Sequence, residues 1–263
     1  MRLLVRSHVE LECEDVCPTV AMLRPSSGDA QWVVSQSYEM APWIRASEYT
    51  DSFGNVCQRF TLPEGISTID VQSQVVVADD INDSEDDGFV LIDELPTDCL
   101  MYLLPSRYCP ADAAIERAWE IVGKATPGFG QVMAISDWIR KNITYQYGVS
   151  NESTGAFETM EAKAGVCRDF SHVAITLCRA LRIPARYVSG YLHKLDPMDM
   201  HAWFEAYVGG SWHTFDATQA TREPGRVVVS YGRDAADVAF LSNYGPMKVN
   251  AMKVSVEKLL TAG

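Results

Sequence analysis

The sequence predicts an α+β protein in two parts, and three observations carry that expectation. Strand-type signals without helical period fill the first eighty residues, eight acids crowd residues 79–94, and a 3.6-residue apolar period begins only after Pro110. The chain of 263 residues, 47% apolar and 22% charged, has ample material for a packed core. The expected division is an N-terminal antiparallel β-sandwich domain over residues 1–95, ending in an acidic junction at 79–94, and a second domain over 96–263.

Each element has its own reason. Residues 2–12 alternate loosely, 32–38 are rich in β-branched and aromatic side chains, and 71–77 close the set of strands. Asp51-Ser52-Phe53-Gly54-Asn55 separates residues 44–49 from 56–62, which predicts a hairpin with a short glycine-containing loop. Several short strands of this kind suit a sandwich or a barrel. Asp79, Asp80, Asp83, Glu85, Asp86, Asp87, Asp93 and Glu94 then read as a solvated connection. A calcium loop over residues 82–88 fits only loosely, because its ligands must recur at fixed alternating positions. Two amphipathic helices follow, over 110–125 with Ala114, Ile115, Ala118, Trp119 and Val122, and over 131–142 with Met133, Ile135, Trp138 and Ile139.

Charge narrows the function classes. Twenty-two Lys and Arg against 35 Asp and Glu give a formal charge of -13, which repels nucleic acid and anionic membrane surfaces, so neither is an expected partner. No apolar run approaches the ~18 residues of a membrane span, and residues 1–8 are too short for a signal peptide's apolar stretch. A cytoplasmic protein is expected. Seven cysteines at 13, 17, 57, 99, 109, 167 and 178 are odd in number and dispersed, as reduced thiols are. Cys13 and Cys17 have no second pair downstream to complete a zinc site, and no cofactor is signalled.

The chemistry concentrates in residues 164–182. Phe170, Val173, Ala174, Leu177, Ala180 and Leu181 recur at helical spacing, Gly165 breaks the preceding segment, and Pro184 ends the helix. Cys167 therefore stands at a helix N-terminus, where free N–H groups and the macrodipole favour an anion such as a thiolate. Cys178, a rise of ~16 Å along the same helix, is the structural cysteine and cannot pair with it. A nucleophilic thiol needs a base, and residues 201–216 supply one. Gly209-Gly210 marks a two-residue turn, and folding about it sets Trp203 opposite Asp216 and His201 opposite Thr218. His201 and Asp216 become diagonal neighbours on one face. His213 pairs with Ala206 on the other face, His172 points away from Cys167, and no register places a carboxylate beside His8, His172 or His193. Spacing alone leaves two readings of His201 and Asp216 open, a base with its orienting carboxylate or an ordinary cross-strand polar pair.

Residues 165–172 (Gly-Val-Cys-Arg-Asp-Phe-Ser-His), 183–191 (Ile-Pro-Ala-Arg-Tyr-Val-Ser-Gly-Tyr), 201–205 (His-Ala-Trp-Phe-Glu) and 212–218 (Trp-His-Thr-Phe-Asp-Ala-Thr) resemble the bacterial transglutaminase-like proteins, often described as cysteine proteases. The likeness extends through 225–229, 232–238 and 104–109, and the turn at 51–55 resembles one in that family's N-terminal β domain. The resemblance implies a papain-like core, with the Cys helix packed on an antiparallel sheet that carries His and Asp. Cys167, His201 and Asp216 fall on the catalytic positions. It implies a thiol-dependent amide or peptide bond hydrolase, acting on a peptide or protein amide through a thioester and needing no cofactor. The alternatives are acyl transfer from a protein glutamine to an amine, and a binding module with a vestigial triad. The Cys167 amide N–H is the expected first oxyanion donor, and Tyr147, upstream, the expected second.

Overall fold

The protein is described here by a computed structural model covering residues 1–79, 86–221 and 223–259. Residues 80–85 of the acidic stretch, which include most of the loose calcium-loop pattern, lie outside the described residues. The strand signals form β1 (Arg2–Cys13), β2 (Cys17–Ala21), β3 (Gln31–Ala41), β4 (Ser47–Thr50), β5 (Val56–Leu62) and β6 (Gly65–Val77). The helical period gives α1 (Ile115–Val122) and α2 (Phe129–Asn142). The expected helix over 110–125 is shorter: residues 111–113 form a separate 3-10 turn, and α1 stops where Gly123 takes a positive φ of 54°. Then come β7 (Thr144–Tyr145), α3 (Ala156–Ala162), β8 (Ala164–Gly165), α4 (Cys167–Ala180), β9 (Ala185–Leu192), β10 (His201–Val208), β11 (Ser211–Phe215), β12 (Arg226–Gly232), β13 (Leu241–Asn243) and β14 (Met247–Lys258).

The fold is α+β, and its β unit has two four-stranded antiparallel sheets, in the orders β14-β1-β6-β3 and β13-β2-β5-β4. Val9, Leu11, Leu23, Phe60, Leu62 and Ile69 fill the space between them. Two of those strands come from the far end of the chain. β14 pairs with β1 along its length and β13 with β2, so residues 241–258 share sheets with residues 2–77 and not with the 96–240 stretch that precedes them. A half-exposed edge strand has weak alternation, and nothing local in its sequence names a partner more than two hundred residues away.

A third four-stranded sheet, β11-β10-β9-β12, carries α4 on one face, and β7 and β8 form a separate two-stranded sheet. Ala202, Phe204, Ala206 and Val208 of β10 pack against Phe170, Val173, Ala174 and Leu177 of the helix. β10 is buried at every position, because its other face is covered as well. Among the described residues no helix is long and apolar enough to cross a membrane.

Two buried side-chain amides join the β unit to the free edge of β12. Gln31 donates from Nε2 to the Val228 carbonyl (2.7 Å) and accepts the Val228 N–H (2.8 Å). Asn55, presented by the 51–55 turn, makes the same two bonds to Tyr231, each 2.8 Å. Each amide thus takes the place of one residue of a pairing strand. Asn55→Ala and Gln31→Ala leave buried backbone groups unpaired, so each should lower stability by about 1–3 kcal/mol. Urea unfolding measures it, and an unchanged midpoint for both variants would mean that water replaces these amides without cost.

Candidate active site

Cys167 is the first residue of α4, and its surroundings are fixed by a buried acid two positions on. The fully buried Asp169 accepts the Val166 N–H through Oδ2 (2.9 Å), while its Oδ1 takes two bonds from Arg168, at 3.1 and 2.9 Å. That carboxylate holds the residue before Cys167 in place and satisfies one of the helix's unpaired donors. Gly165 is required next to it: a Cβ there would stand 2.7 Å from the Asp169 Cβ. Cys167 itself is half-buried, whereas Cys178 is wholly buried in the core with its thiol pushed far up by desolvation.

His201 opens β10 and Asp216 follows directly on β11. The turn at Gly209-Gly210, with φ of 60° and 89°, sets the register Phe204 to Phe215 and Ala206 to His213, which continues to the diagonal expected for His201 and Asp216. The two meet: His201 Nε2 lies 2.7 Å from Asp216 Oδ2, with both side chains almost completely buried. A carboxylate only accepts, so Nε2 carries the proton and Nδ1 is the ring nitrogen left for the thiol. Cys167 is within hydrogen-bonding reach of that imidazole. Opposite His201 on β9 stands Gly190, where a methyl group would run into the Val227 carbonyl and come within 2.8 Å of the Trp203 ring.

Asp216 is held from three further directions. Its Oδ1 accepts the Thr218 N–H (3.0 Å) and hydroxyl (2.7 Å), and Arg226 Nη2 lies 3.3 Å from Oδ2. Burial alone would raise this carboxyl, but the His201 hydrogen bond and charge, the Arg226 charge and Thr218 bring it down to about 2. Burial likewise works against the His201 imidazolium, yet hydrogen bonds and charge from Asp216 and Cys167 raise it to about 9. Nothing in the sequence marked Arg226, since it lies on a different strand and reaches the site only through the sheet.

The other histidines sit elsewhere. His172 is fully buried, stacked on Tyr108 at 4.9 Å, and accepts the Ala235 N–H at Nε2 (3.2 Å). Desolvation, helped by the Arg168 charge, lowers it to about 3. His193 rests near the Val256 carbonyl at 3.3 Å. Two histidines differ from expectation in having carboxylates. His8 faces Asp70 across β1 and β6 at 2.7 Å, and His213 meets Asp87 at 3.1 Å, because a residue of the acidic stretch folds back on the hairpin. Of these carboxylate-paired histidines only His201 also touches Cys167.

Tyr147 is 56% exposed, and the Tyr145 ring lies 5.5 Å from its own. Tyr145 is the tyrosine beside the thiol. Its phenol is within reach of the Cys167 backbone N–H, and burial, the Cys167 charge and Tyr147 push it well above its ordinary range. No group of three or more His, Cys, Asp or Glu suited to a metal occurs among the described residues. The arrangement can ionise a thiol, hold an imidazolium beside it and give a proton to a leaving group.

The raised imidazole and the depressed carboxyl are two views of one interaction. The stabilisation that the raised imidazole reports is full below 6.5 and lost as pH rises through about 9. That of the carboxyl is present above 3.8 and lost as pH falls through about 2. Asp216→Asn should therefore destabilise most at about pH 5.5, with a penalty on the order of 2 kcal/mol larger than at about pH 9.5. Urea melts at both pH values check it, and NMR should find His201 of the variant titrating below 6.5. A pH-independent penalty would mean that the pair is uncharged in the fold.

Residues 115–217 match the model of the transglutaminase-like superfamily, and residues 15–78 that of the bacterial transglutaminase-like N-terminal region. A crystal structure described as a "putative cysteine protease" from Cytophaga hutchinsonii is 34% identical and superposes with a TM-score of 0.95, covering 100% of this chain and 92% of that one. The protein ML0607 of Mycobacterium leprae is 28% identical over 235 residues, 83% of each chain. Mb2599c of Mycobacterium bovis is 36% identical over 115 residues, 38% of this chain and 37% of its own.

Proposed function

The chain belongs to the transglutaminase-like superfamily, and from that premise we propose that it is a thiol-dependent hydrolase of amide or peptide bonds in a peptide or protein substrate. The observation that carries the reading is the buried His201–Asp216 contact of 2.7 Å, placed within reach of a thiol at the first position of a helix. A cross-strand polar pair with only a structural role would not need a nucleophile against its free ring nitrogen.

The Cys167 thiolate attacks the amide carbonyl carbon. His201 gives its Nδ1 proton to the leaving nitrogen as the C–N bond breaks, and an acyl thioester remains on Cys167. His201, now neutral, takes a proton from water as its oxygen adds to the thioester. The C–S bond breaks, the acid departs and the thiolate returns beside an imidazolium. Asp216 keeps Nε2–H directed and supports the charge that His201 carries. The Cys167 amide N–H is one donor to the oxyanion. Tyr145 and Tyr147 line the same side, and Tyr147 is the second donor in this reading if the pair rearranges around a bound carbonyl. An amine in place of water would make the same thioester an acyl transfer, which is the second reading the superfamily supports.

Brief iodoacetamide treatment at about pH 6 separates an active site from a vestigial one. Wild-type Cys167 should alkylate at least about tenfold faster than Cys167 in His201→Ala, since the imidazolium partner is lost. Equal rates would make the thiol an ordinary one. Incubating a peptide amide with and without a primary amine then distinguishes the reactions: release of the free acid in both cases supports hydrolysis, and formation of the new amide as main product supports transfer.

A further inference from the structure

Beside His201 a cleft of about 210 Å³ opens to solvent, with the loop between β9 and β10 as one wall. Tyr145 and Tyr147 form the facing wall. Among the described residues, the charged side chains lining it besides His201 are Asp196 and Asp199, both exposed. Asp199 uses Oδ1 to accept the Met200 N–H at 2.7 Å, leaving its other oxygen, and Asp196 makes no hydrogen bond or ion pair among the described residues. Leu195 and Met200 supply apolar surface to the same lining. Lys194, the nearest basic residue along the chain, does not line the cleft.

We propose that this cleft is the substrate's specificity subsite and that it takes a basic side chain, lysine or arginine, of the peptide whose amide meets Cys167. The volume and the mixed apolar and acidic lining fit a long stem with a charged head. Methylenes lie against Leu195 and Met200, and the cation reaches Asp196 and Asp199 while passing the faces of two tyrosine rings. The site itself is no obstacle to that charge: in the ion-pair form that the proposed reaction uses, the thiolate and Asp216 balance the imidazolium and Arg226, which leaves the two carboxylates of the lining unbalanced. Acids scattered over a chain of charge -13 attract cations everywhere, but these two share a cavity with the base of the proposed reaction. The inference deepens the hydrolase reading and rests on it for the subsite's purpose.

Binding to the Cys167→Ala full-length chain, which cannot turn over, tests the subsite apart from the chemistry. The probes are N-acetyl, C-amidated tripeptides Ala-Lys-Ala, Ala-norleucine-Ala and Ala-Glu-Ala, titrated by NMR. The lysine peptide should bind at least roughly fivefold more tightly than the norleucine one, with the difference shrinking in high salt, and the glutamate peptide should bind weakest. Asp196→Asn with Asp199→Asn should erase the lysine advantage. Glu64→Gln with Asp93→Asn, which remove the same charge from exposed positions elsewhere, should preserve it. Equal binding of lysine and norleucine peptides, no saturable binding of either, or a lysine advantage that survives loss of both cleft acids overturns the proposal. Any of these leaves the alkylation result at Cys167 untouched, so the subsite and the hydrolase reading fail separately.

Discussion

A carboxylate and an imidazole buried together must neutralise one another, and much of this molecule serves that requirement. Taking either charge out of water alone costs several kcal/mol, more than a single hydrogen bond returns. Asp216 meets the cost with four donors from His201, Thr218 and Arg226. Each donor is itself located by something else. Thr218 lies two residues past Asp216 on the same turn, while Arg226 is the first residue of β12 and depends on where that strand runs. β12 is fixed by β9 on one side and by Gln31 and Asn55 on the other. The β unit thus reaches the candidate site through an unbroken line of contacts, from two amides to an edge strand to an arginine to the carboxylate.

Two buried histidines show how strongly neighbours decide what burial does. His172 and His201 have almost no exposed surface, and desolvation is the leading influence on both. His172 nonetheless moves down to about 3 and His201 up to about 9. Next to His172 the arginines Arg168 and Arg179 outweigh the effect of Asp169. Next to His201 a carboxylate at 2.7 Å and a thiol outweigh desolvation. His172 is consequently a neutral ring that packs on Tyr108 and accepts a backbone N–H, although it lies five residues from Cys167 on the same helix. Proximity in sequence to Cys167 did not decide the state of either ring; the charged groups packed against each did.

That contrast also explains which features were legible in the sequence. The register of β10 with β11 follows from a local signal, two glycines able to take positive φ between strands, and His201 with Asp216 follows from the register. The start of α4 was legible for the same reason, since Gly165, the apolar period and Pro184 all lie within one helix length of it. Features that depend on distant pairing were not. β14 joins β1 across the whole chain, Arg226 reaches Asp216 from another strand, and Asn55 looked like a turn residue when its side chain is a lock on Tyr231. Tyr147 and Tyr145 differ in a subtler way. They stand two residues apart, Tyr145 in β7 and Tyr147 in the turn that follows, and the pairing of Tyr145 with Gly165 in β8 sets Tyr145 beside Cys167.

The half-buried position of Cys167 separates two environments with different tasks. On its inner side lie the buried His201 and Asp216 with Thr218 and Arg226 around the carboxylate, so the electrostatics there are little screened by salt and are set by geometry. On its outer side lie solvent, two partly exposed tyrosines and the acids of the β9–β10 loop, whose interactions are screened and adaptable. Reactivity of the thiol therefore belongs to the sheet and to the β unit that braces its edge, while selection of what reaches the thiol belongs to a loop that can change without disturbing the pair. A superfamily that keeps the first and varies the second would hold one chemistry across many substrates, and in the proposed reaction the choice of substrate would fall to loop residues such as Asp196 and Asp199.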